Sequence, residues 1–393
     1  MNNNKLNILF LASWYPNKVL PSNGNFIEQH ALAVSEKCNV YVLHIISRVQ
    51  KEKFVVEQTL NNNILETIVY YKKVNSIFWG AKLLFKQNIR RKAHKLGFKA
   101  ILKKNSAIDL IHLNVCFPAG IFALYLKRKY KIPYIISEHW TALLANSPTK
   151  LKPLEKYFVT RINRTAEIIC PVSKDLKEAL LKIAPKQAYT IIPNVVNTSI
   201  FKENITYRPS DKIKILHISN LKDEHKNVSG ILNTIKKLST VRNDFTITIV
   251  GSGESKHFKE KSKALEIPAN IISFEKEKKR DEVAHAMNAH DLFLLFSNYE
   301  TFSVVIAEAL VCGLPIITSK CGGLTEEITI DNGIQVEMKN ETQLFKKLDY
   351  LISNISKYDR HKIAADARKK YSHELVGKQF LSIYKNILGA QNR

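Results

Sequence analysis

The chain of 393 residues lacks any apolar run approaching the roughly 20 residues that a bilayer-crossing helix needs. Its best candidate, Ala307 to Thr318, is broken by Glu308, Gly313 and Pro315. Organised cysteine is also missing. Cys38, Cys116, Cys170, Cys312 and Cys321 are odd in number and scattered, with no C-x-x-C spacing. That argues against a disulfide framework and a zinc site, and it fits a reducing cytoplasm. There is no repeat of solenoid period, no low-complexity tract, and no RNP, KH or zinc signature. The apolar start Leu6–Leu11 is followed by Trp14-Tyr15-Pro16 rather than a small-residue cleavage site, so it reads as a first buried strand and not as a signal peptide.

Acids are scarce: 35 Asp and Glu stand against 60 Lys and Arg, a net charge of +25. Residues 1–200 hold 30 basic against 11 acidic residues, and residues 201–393 hold 30 against 24. Between Lys72 and Lys104 eleven basic residues occur without one acid. Such a stretch needs an anionic neighbour or plentiful water. Ile77-Phe78-Trp79, Leu83-Leu84-Phe85 and Arg90-Arg91-Lys92 lie within it, a basic helix with aromatic anchors. The pattern suits an anionic membrane surface. The other reading is a solvated helix whose apolar face packs on a sheet. Nucleic-acid binding is motivated by charge alone, without a motif, and no such partner is expected.

The length is about twice the usual domain size, and the 45% hydrophobic content supports two folded cores. In the C-terminal half Ile213 to Ile218, Phe245 to Val250, Asn270 to Phe274, Asp291 to Phe296, Pro315 to Ser319 and Gly333 to Val336 read as strands, with helix-length segments between them. In the N-terminal half the strand candidates are Asn7 to Ala12, Val40 to Ile46, Ile64 to Tyr71, Ile108 to Leu113, Tyr134 to Ser137, Ile168 to Val172 and Tyr189 to Ile192. Runs apolar on both faces, alternating with helices, imply parallel sheets with right-handed crossovers. Pro193 through Pro209 is a polar, turn-prone seam. The expected fold is α/β, two Rossmann-like domains over residues 1–193 and 194–373. Ligands would then sit beyond the carboxyl ends of the strands.

The strongest chemical signal runs from Asn298 to Ile328. It contains Glu300-Thr301-Phe302-Ser303, Glu308 seven residues beyond Thr301, Gly313 and Pro315, then Gly322-Gly323 and Glu326. Ser303 is placed to cap a helix that stops at Gly313. The N–H groups of Thr301, Phe302 and Ser303, aided by the helix dipole, would suit a diphosphate. If the whole stretch were helical the two carboxylates would lie about 12 Å apart, at roughly 1.5 Å per residue. A glycosidase pair needs roughly 5 to 9.5 Å, so the spacing suits two grips on one long ligand better than an acid–base pair.

These motifs resemble glycosyltransferase family 4, retaining enzymes of the two-domain GT-B fold: the E-x7-E pair, the A-L-x-x-G-x-P helix exit and the G-G-x-x-E that follows all match. The resemblance implies that Glu300 contacts the donor sugar, Glu308 the ribose, and that Gly322-Gly323 closes the pocket. His217 to Val228 resembles the family's phosphate-clamp loop, with Lys226 matching its Lys and Asn220 standing where its Arg would be. Gly251-Ser252-Gly253 follows a strand, as the family's turn near the base does. In the N-terminal half, Gly24 in the loop after Trp14-Tyr15-Pro16 corresponds to the family's first loop, and His139 to its active-site histidine near the sugar. His112 is expected to order the pocket wall. The last helix, within residues 374–393, would cross back to the first domain.

The implied activity is transfer of a sugar from a UDP- or GDP-sugar to a hydroxyl acceptor with anomeric retention, Glu300, Lys226 and His139 being the catalytic group. The acceptor would be a glycan or lipid-linked glycan of surface polysaccharide. No metal or other cofactor is expected, because the chain lacks a convincing D-x-D motif and Lys226 with helix N-termini can balance phosphate charge. The rival enzyme class is a GT-B nucleotide-sugar epimerase or hydrolase. A cytoplasmic location, peripheral at the inner face of the plasma membrane, follows from the same reading.

Overall fold

Strand segments rich in Val, Ile and Leu lose water on both faces, and the sheet order shows where each ends up. The computed structural model describes residues 5–73, 79–104, 107–145, 147–204, 211–251 and 255–391, without the side chains of 79–86 and 391. The chain divides into two units: Met1–Val195 with His373–Arg393, and Val196–Ser372.

In the first unit the order is β1 (Asn7–Ala12), α1 (Asn25–Ser35), β2 (Asn39–Arg48), β3 (Phe54–Asn61), β4 (Ile64–Lys72), α2 (Trp79–Lys104), β5 (Leu110–Asn114), α3 (Gly120–Tyr130), β6 (Tyr134–Glu138), α4 (Pro153–Thr165), β7 (Ile169–Pro171) and α5 (Lys174–Leu181). The sheet runs β3-β4-β2-β1-β5-β6-β7. Central strand β1 pairs in parallel with β2 (Leu9 opposite Tyr41) and with β5 (Leu9 opposite Ile111). Ile8 to Leu11 are fully shut off from solvent, as a strand covered on both faces requires.

Two expectations are corrected here. The sheet is not wholly parallel, because β3 folds back antiparallel on β4 through Asn62-Asn63, both at positive φ. Asparagine tolerates that conformation, which a two-residue hairpin turn demands. Tyr189 to Ile192 makes only one bridge, Tyr189 to Ile169, instead of a strand. Pro171 and Pro193 each remove a donor N–H from that edge, which cuts the ladder short.

In the second unit the order is β8 (Ile213–Ser219), the one-turn helix α6 (Asp223–Lys226), α7 (Val228–Ser239), β9 (Phe245–Gly251), α8 (Ser255–Ala264), β10 (Ile272–Lys276), α9 (Arg280–Asn288), β11 (Leu292–Leu295), α10 (Val304–Val311), β12 (Ile316–Ser319), β13 (Gly333–Val336), α11 (Glu341–Ser353) and α12 (Arg360–Tyr371). Its sheet is β10-β9-β8-β11-β12-β13, parallel throughout. β8 leads outward to β9 and β10 on one side, and the chain then returns to lay β11, β12 and β13 on the other. The order therefore reverses between β8 and β11, the kind of switch point at which open sheets hold ligands. Each of Leu292 to Leu295 is fully buried, worth roughly 1.5–3 kcal/mol apiece.

The last helix, α13 (His373–Gln391), belongs to the first unit and packs along α1. A Cβ at Gly377 would lie 2.3 Å from the carbonyl oxygen of Ala33, so a side chain there would push the two helices apart.

Candidate active site

The reversal in the second unit brings together two loops far apart in sequence, one after β8 and one after β11. Lys226 ends α6 with its side chain turned inward, and Glu300 lies on the loop after β11; they are 9% and 7% exposed. Lys226 Nζ donates to Glu300 Oε1 at 2.5 Å, and Ser297 Oγ donates to the same oxygen at 2.8 Å. Glu300 Oε2 accepts no hydrogen bond among the described residues. Burial works to raise the Glu300 pKa, but Lys226, His225 and Ser297 outweigh it and hold the carboxyl below its ordinary value. His225 stacks on Tyr299 at 4.3 Å between ring centroids, and its Nε2–H donates to the Tyr299 carbonyl at 2.8 Å. The Asn298 N–H bonds to the His225 carbonyl at 2.8 Å, so the two loops are stitched through backbone as well as side chains.

Helix α10 starts three residues beyond Thr301, and its entry differs from the expected cap. Ser303 holds the N-cap position in a left-handed conformation, φ 59° and ψ 76°, and its side chain makes no cap hydrogen bond. An N-cap side chain reaches the first-turn N–H groups from extended backbone; from this conformation Ser303 Oγ is left buried without a partner among the described residues. Among the described residues no protein acceptor takes the N–H groups of Thr301, Phe302, Ser303, Val304 or Val305. These donors at a helix N-terminus make an anion-binding end. The Phe302 ring faces the interior against Tyr371, so this residue can offer only its backbone outward.

Glu308 lies inside α10, buried, with Arg280 Nη2 donating to its Oε1 at 3.0 Å. Burial pushes its pKa up to about 7 against the opposing pull of Arg280. Arg280 sits over the Phe201 ring at 5.1 Å. Sequence reading did not single out Arg280, since it ends the basic run Lys278-Lys279-Arg280 and carries no motif.

The glycines have geometric reasons. Gly322 and Gly323 have φ of 95° and 70°, and a Cβ on Gly323 would meet the Phe302 backbone at 3.1 Å. The Glu300 N–H donates to the Cys321 carbonyl at 3.1 Å, tying this loop to the Glu300 loop. Gly251 ends β9 where a Cβ would lie 2.1 Å from the Ser219 carbonyl oxygen, so close strand packing alone demands glycine. Gly253 lies outside the described residues. Asn220 is exposed, and its Oδ1 accepts the Lys222 N–H at 3.2 Å, which folds the side chain onto its own loop.

In the first unit the carboxyl ends of β1, β5 and β6 gather Gly24, Cys116 and His139 onto neighbouring loops. Gly24 caps α1 at φ 71°, where a Cβ would lie 2.7 Å from the Trp14 carbonyl carbon. Glu138, fully buried, organises its surroundings: Oε1 accepts the N–H groups of His139 and Trp140 at 2.8 and 2.9 Å, and Oε2 accepts that of Cys116 at 2.9 Å. Burial raises its pKa against these bonds. His139 itself packs against Phe26 and His30, with ring centroids 4.6 and 5.4 Å away, and neither ring nitrogen has a hydrogen-bond partner among the described residues. Burial, followed by His30 and His112, holds its pKa well below the ordinary value, so the imidazole is neutral. His112 shares hydrogen bonds with Tyr384 OH at 2.6 Å and Ser137 Oγ at 2.7 Å, tying α13 to β5.

Residues 199–370 match the family described as glycosyl transferases group 1, and residues 57–200 match Glycosyltransferase Family 4. An uncharacterized glycosyltransferase of Methanocaldococcus jannaschii is 29% identical over 327 residues, covering 80% of this chain and 84% of that protein. Among solved structures, sucrose-phosphate synthase from Thermosynechococcus elongatus superposes with a TM-score of 0.77 at 15% identity, covering 98% of this chain and 100% of the other. The HepE protein of Anabaena, in complex with UDP and glucose, superposes with a TM-score of 0.68 at 16% identity, covering 96% and 99%. The fold is thus that of the GT-B enzymes, and the chain belongs to glycosyltransferase family 4.

Proposed function

We propose that this glycosyltransferase moves a sugar from a nucleoside diphosphate donor to a hydroxyl of a glycan or lipid-linked glycan, with retention at the anomeric carbon. The observation that carries the reading is the buried Lys226–Glu300 pair at the sheet reversal, beside a helix end with unclaimed N–H groups. The free N–H groups from Thr301 to Val305 would take diphosphate oxygens, and Lys226 would balance the charge that grows on the leaving phosphate. Glu300 Oε2 would accept sugar hydroxyls, and Glu308 ribose hydroxyls. His139, a neutral imidazole, is the residue of the first unit that we assign to the catalytic group.

In the reaction the bond from the anomeric carbon to the phosphate oxygen breaks with its electron pair leaving on the diphosphate. The acceptor oxygen forms the new bond on the same face and gives its proton to the departing phosphate. Positive charge from Lys226 and the helix end takes the place a metal would hold, and activity should survive EDTA. The complex of the Anabaena protein makes UDP-sugars the first donors to try. Five free, buried cysteines suit a reducing compartment, and we place the enzyme in the cytoplasm, bound through residues 72–104 to an anionic membrane surface. No helix among the described residues is long and apolar enough to cross a membrane.

A thermal-shift screen of UDP-, GDP- and ADP-sugars, followed by NMR of the transferred product, tests the proposal. An inverted anomeric configuration would refute retention. Donor cleavage with free sugar as the sole product would favour the epimerase or hydrolase class instead.

A further inference from the structure

Helices α2, α3 and α4 of the first unit surround a groove of about 310 Å³ whose walls carry Arg90, Arg91, Arg128 and Arg161 and no carboxylate. Among the described residues none of the four guanidinium groups meets an acid; Arg161 reaches only the Tyr157 hydroxyl, at 3.2 Å. From Gln87 onward α2 packs Ile89, Ala93, Phe98 and Ile101 inward and contacts β2 and β4, while Arg91 is exposed and Arg90 half-buried. Phe122, Tyr125 and Phe158 supply an aromatic floor. His94 stacks on Phe122 at 4.9 Å, is 4% exposed, lines the groove, and has a buried Nε2 with no partner among the described residues.

Four like charges line one groove, and no carboxylate among the lining residues relieves their repulsion. An anion would. Guanidinium forks match phosphate oxygens in pairs. The rim decides which phosphate. Leu154 and Tyr157 on α4 are 44% and 55% exposed, beside Lys156 and Arg164, and Lys95 and Lys129 stand over the Tyr125 ring at 4.9 and 5.9 Å. Exposed apolar and aromatic side chains among cations are the composition of a membrane-interface surface, and a free phosphate would have no use for them.

We infer that this groove seats the phosphate headgroups of an anionic bilayer, with Arg90, Arg91, Arg128 and Arg161 as ligands and the exposed rim of α4 lying against the lipid. The inference deepens the membrane part of the proposed function and rests on it, but it does not depend on sugar transfer.

The test is sedimentation of the full chain with vesicles of phosphatidylcholine, alone or mixed with phosphatidylglycerol. Binding is expected only to the mixed vesicles. The double substitution Arg128→Gln with Arg161→Gln should weaken it roughly thirtyfold, at about a fivefold factor per cation near an anionic surface. Lys346→Gln with Lys347→Gln, on exposed positions of α11, removes the same charge and should change it less than about twofold. Arg90→Gln with Arg91→Gln supplies an independent pair on another helix if the first fails to fold. Equal losses from the groove and control pairs would overturn the site, as would absence of vesicle binding. Saturable binding of inorganic phosphate or glycerol 3-phosphate without vesicle binding would assign the groove to a soluble ligand and also overturn it. Donor hydrolysis without vesicles should be unchanged in the groove variants; an enzyme that cleaves no donor yet still binds vesicles would sink the sugar-transfer reading and leave the groove standing.

Discussion

Lys226 and Glu300 are 74 residues apart in sequence, yet Nζ and Oε1 meet at 2.5 Å within a region nearly closed to solvent. Two charges taken from water need each other, because the desolvation of either one alone is several kcal/mol. The pair therefore organises the site before any ligand arrives. It also leaves one Glu300 oxygen uncommitted.

Lys226→Ala is expected to strand the Glu300 carboxylate and to lower stability by about 3 kcal/mol, read as a shifted urea midpoint. Donor cleavage should fall by roughly a hundred- to a thousandfold, as when one preorganised donor to a developing negative charge is removed. Glu300→Gln keeps the shape but leaves the buried Lys226 ammonium without its counter-charge, so it should cost both stability and turnover. A Lys226→Ala protein that cleaves donor at the wild-type rate would end the catalytic assignment.

Glu308 gives a pH signature of known sign. Its folded pKa is raised from 4.5 to about 7 by burial. The folded state therefore holds a proton that the unfolded state releases, and its contribution to stability is lost as pH rises from 4.5 to 7. The difference is about 3 kcal/mol above that window. Glu308→Gln should be more stable than the parent at pH 8 and flatter across the window, while binding nucleotide roughly tenfold more weakly through loss of a charged acceptor. Urea titrations at several pH values and calorimetric binding of the nucleotide would check both halves.

Buried imidazoles act the other way. His30, His44 and His217 have pKa values lowered by burial to about 4, and His94 to about 3. They take up protons only on unfolding, so stability present above pH 6.5 is lost as pH falls from there towards 4. Near pH 5 each contributes a penalty of about 2 kcal/mol, which four imidazoles impose against the opposing carboxyls of Glu138 and Glu308. Acid unfolding should begin just below pH 6.5, with several protons absorbed. Potentiometric proton uptake near zero at pH 5.5 would contradict this.

Two glycines should respond oppositely to alanine. Gly24→Ala places a Cβ 2.7 Å from the Trp14 backbone at a φ of 71°, a strain of roughly 2 kcal/mol, and should disturb the loop that leads into α1. Gly389→Ala, in α13, meets nothing within 4 Å and should stabilise the helix by about 0.5–1 kcal/mol. Thermal midpoints of the two variants on opposite sides of the parent would verify the contrast.

Local chemistry made much of the fold legible. β1 and β13 match their sequence-read bounds residue for residue, and most other strands fall within two residues. An apolar run bounded by turn residues reports its own burial. β3 escaped because Phe54 to Asn61 mixes Glu57, Gln58 and Thr59 into its alternation, as an edge strand with one wet face does. Ser303 has the right residue type for a cap, but its backbone is left-handed, a conformation its residue type does not announce. Arg280 reaches Glu308 across 28 residues, without a spacing that would announce it.

By itself the sequence determined the alternation of strands and helices, the glycosyltransferase motifs and the basic excess of residues 72–104, because each is a property of neighbours along the chain. Tertiary structure alone decided that Lys226 would meet Glu300, that Arg280 would hold Glu308, and that arginines from three helices would share one groove. Those meetings depend on sheet order and helix packing, where residues far apart in sequence are brought close enough for charge and burial to act.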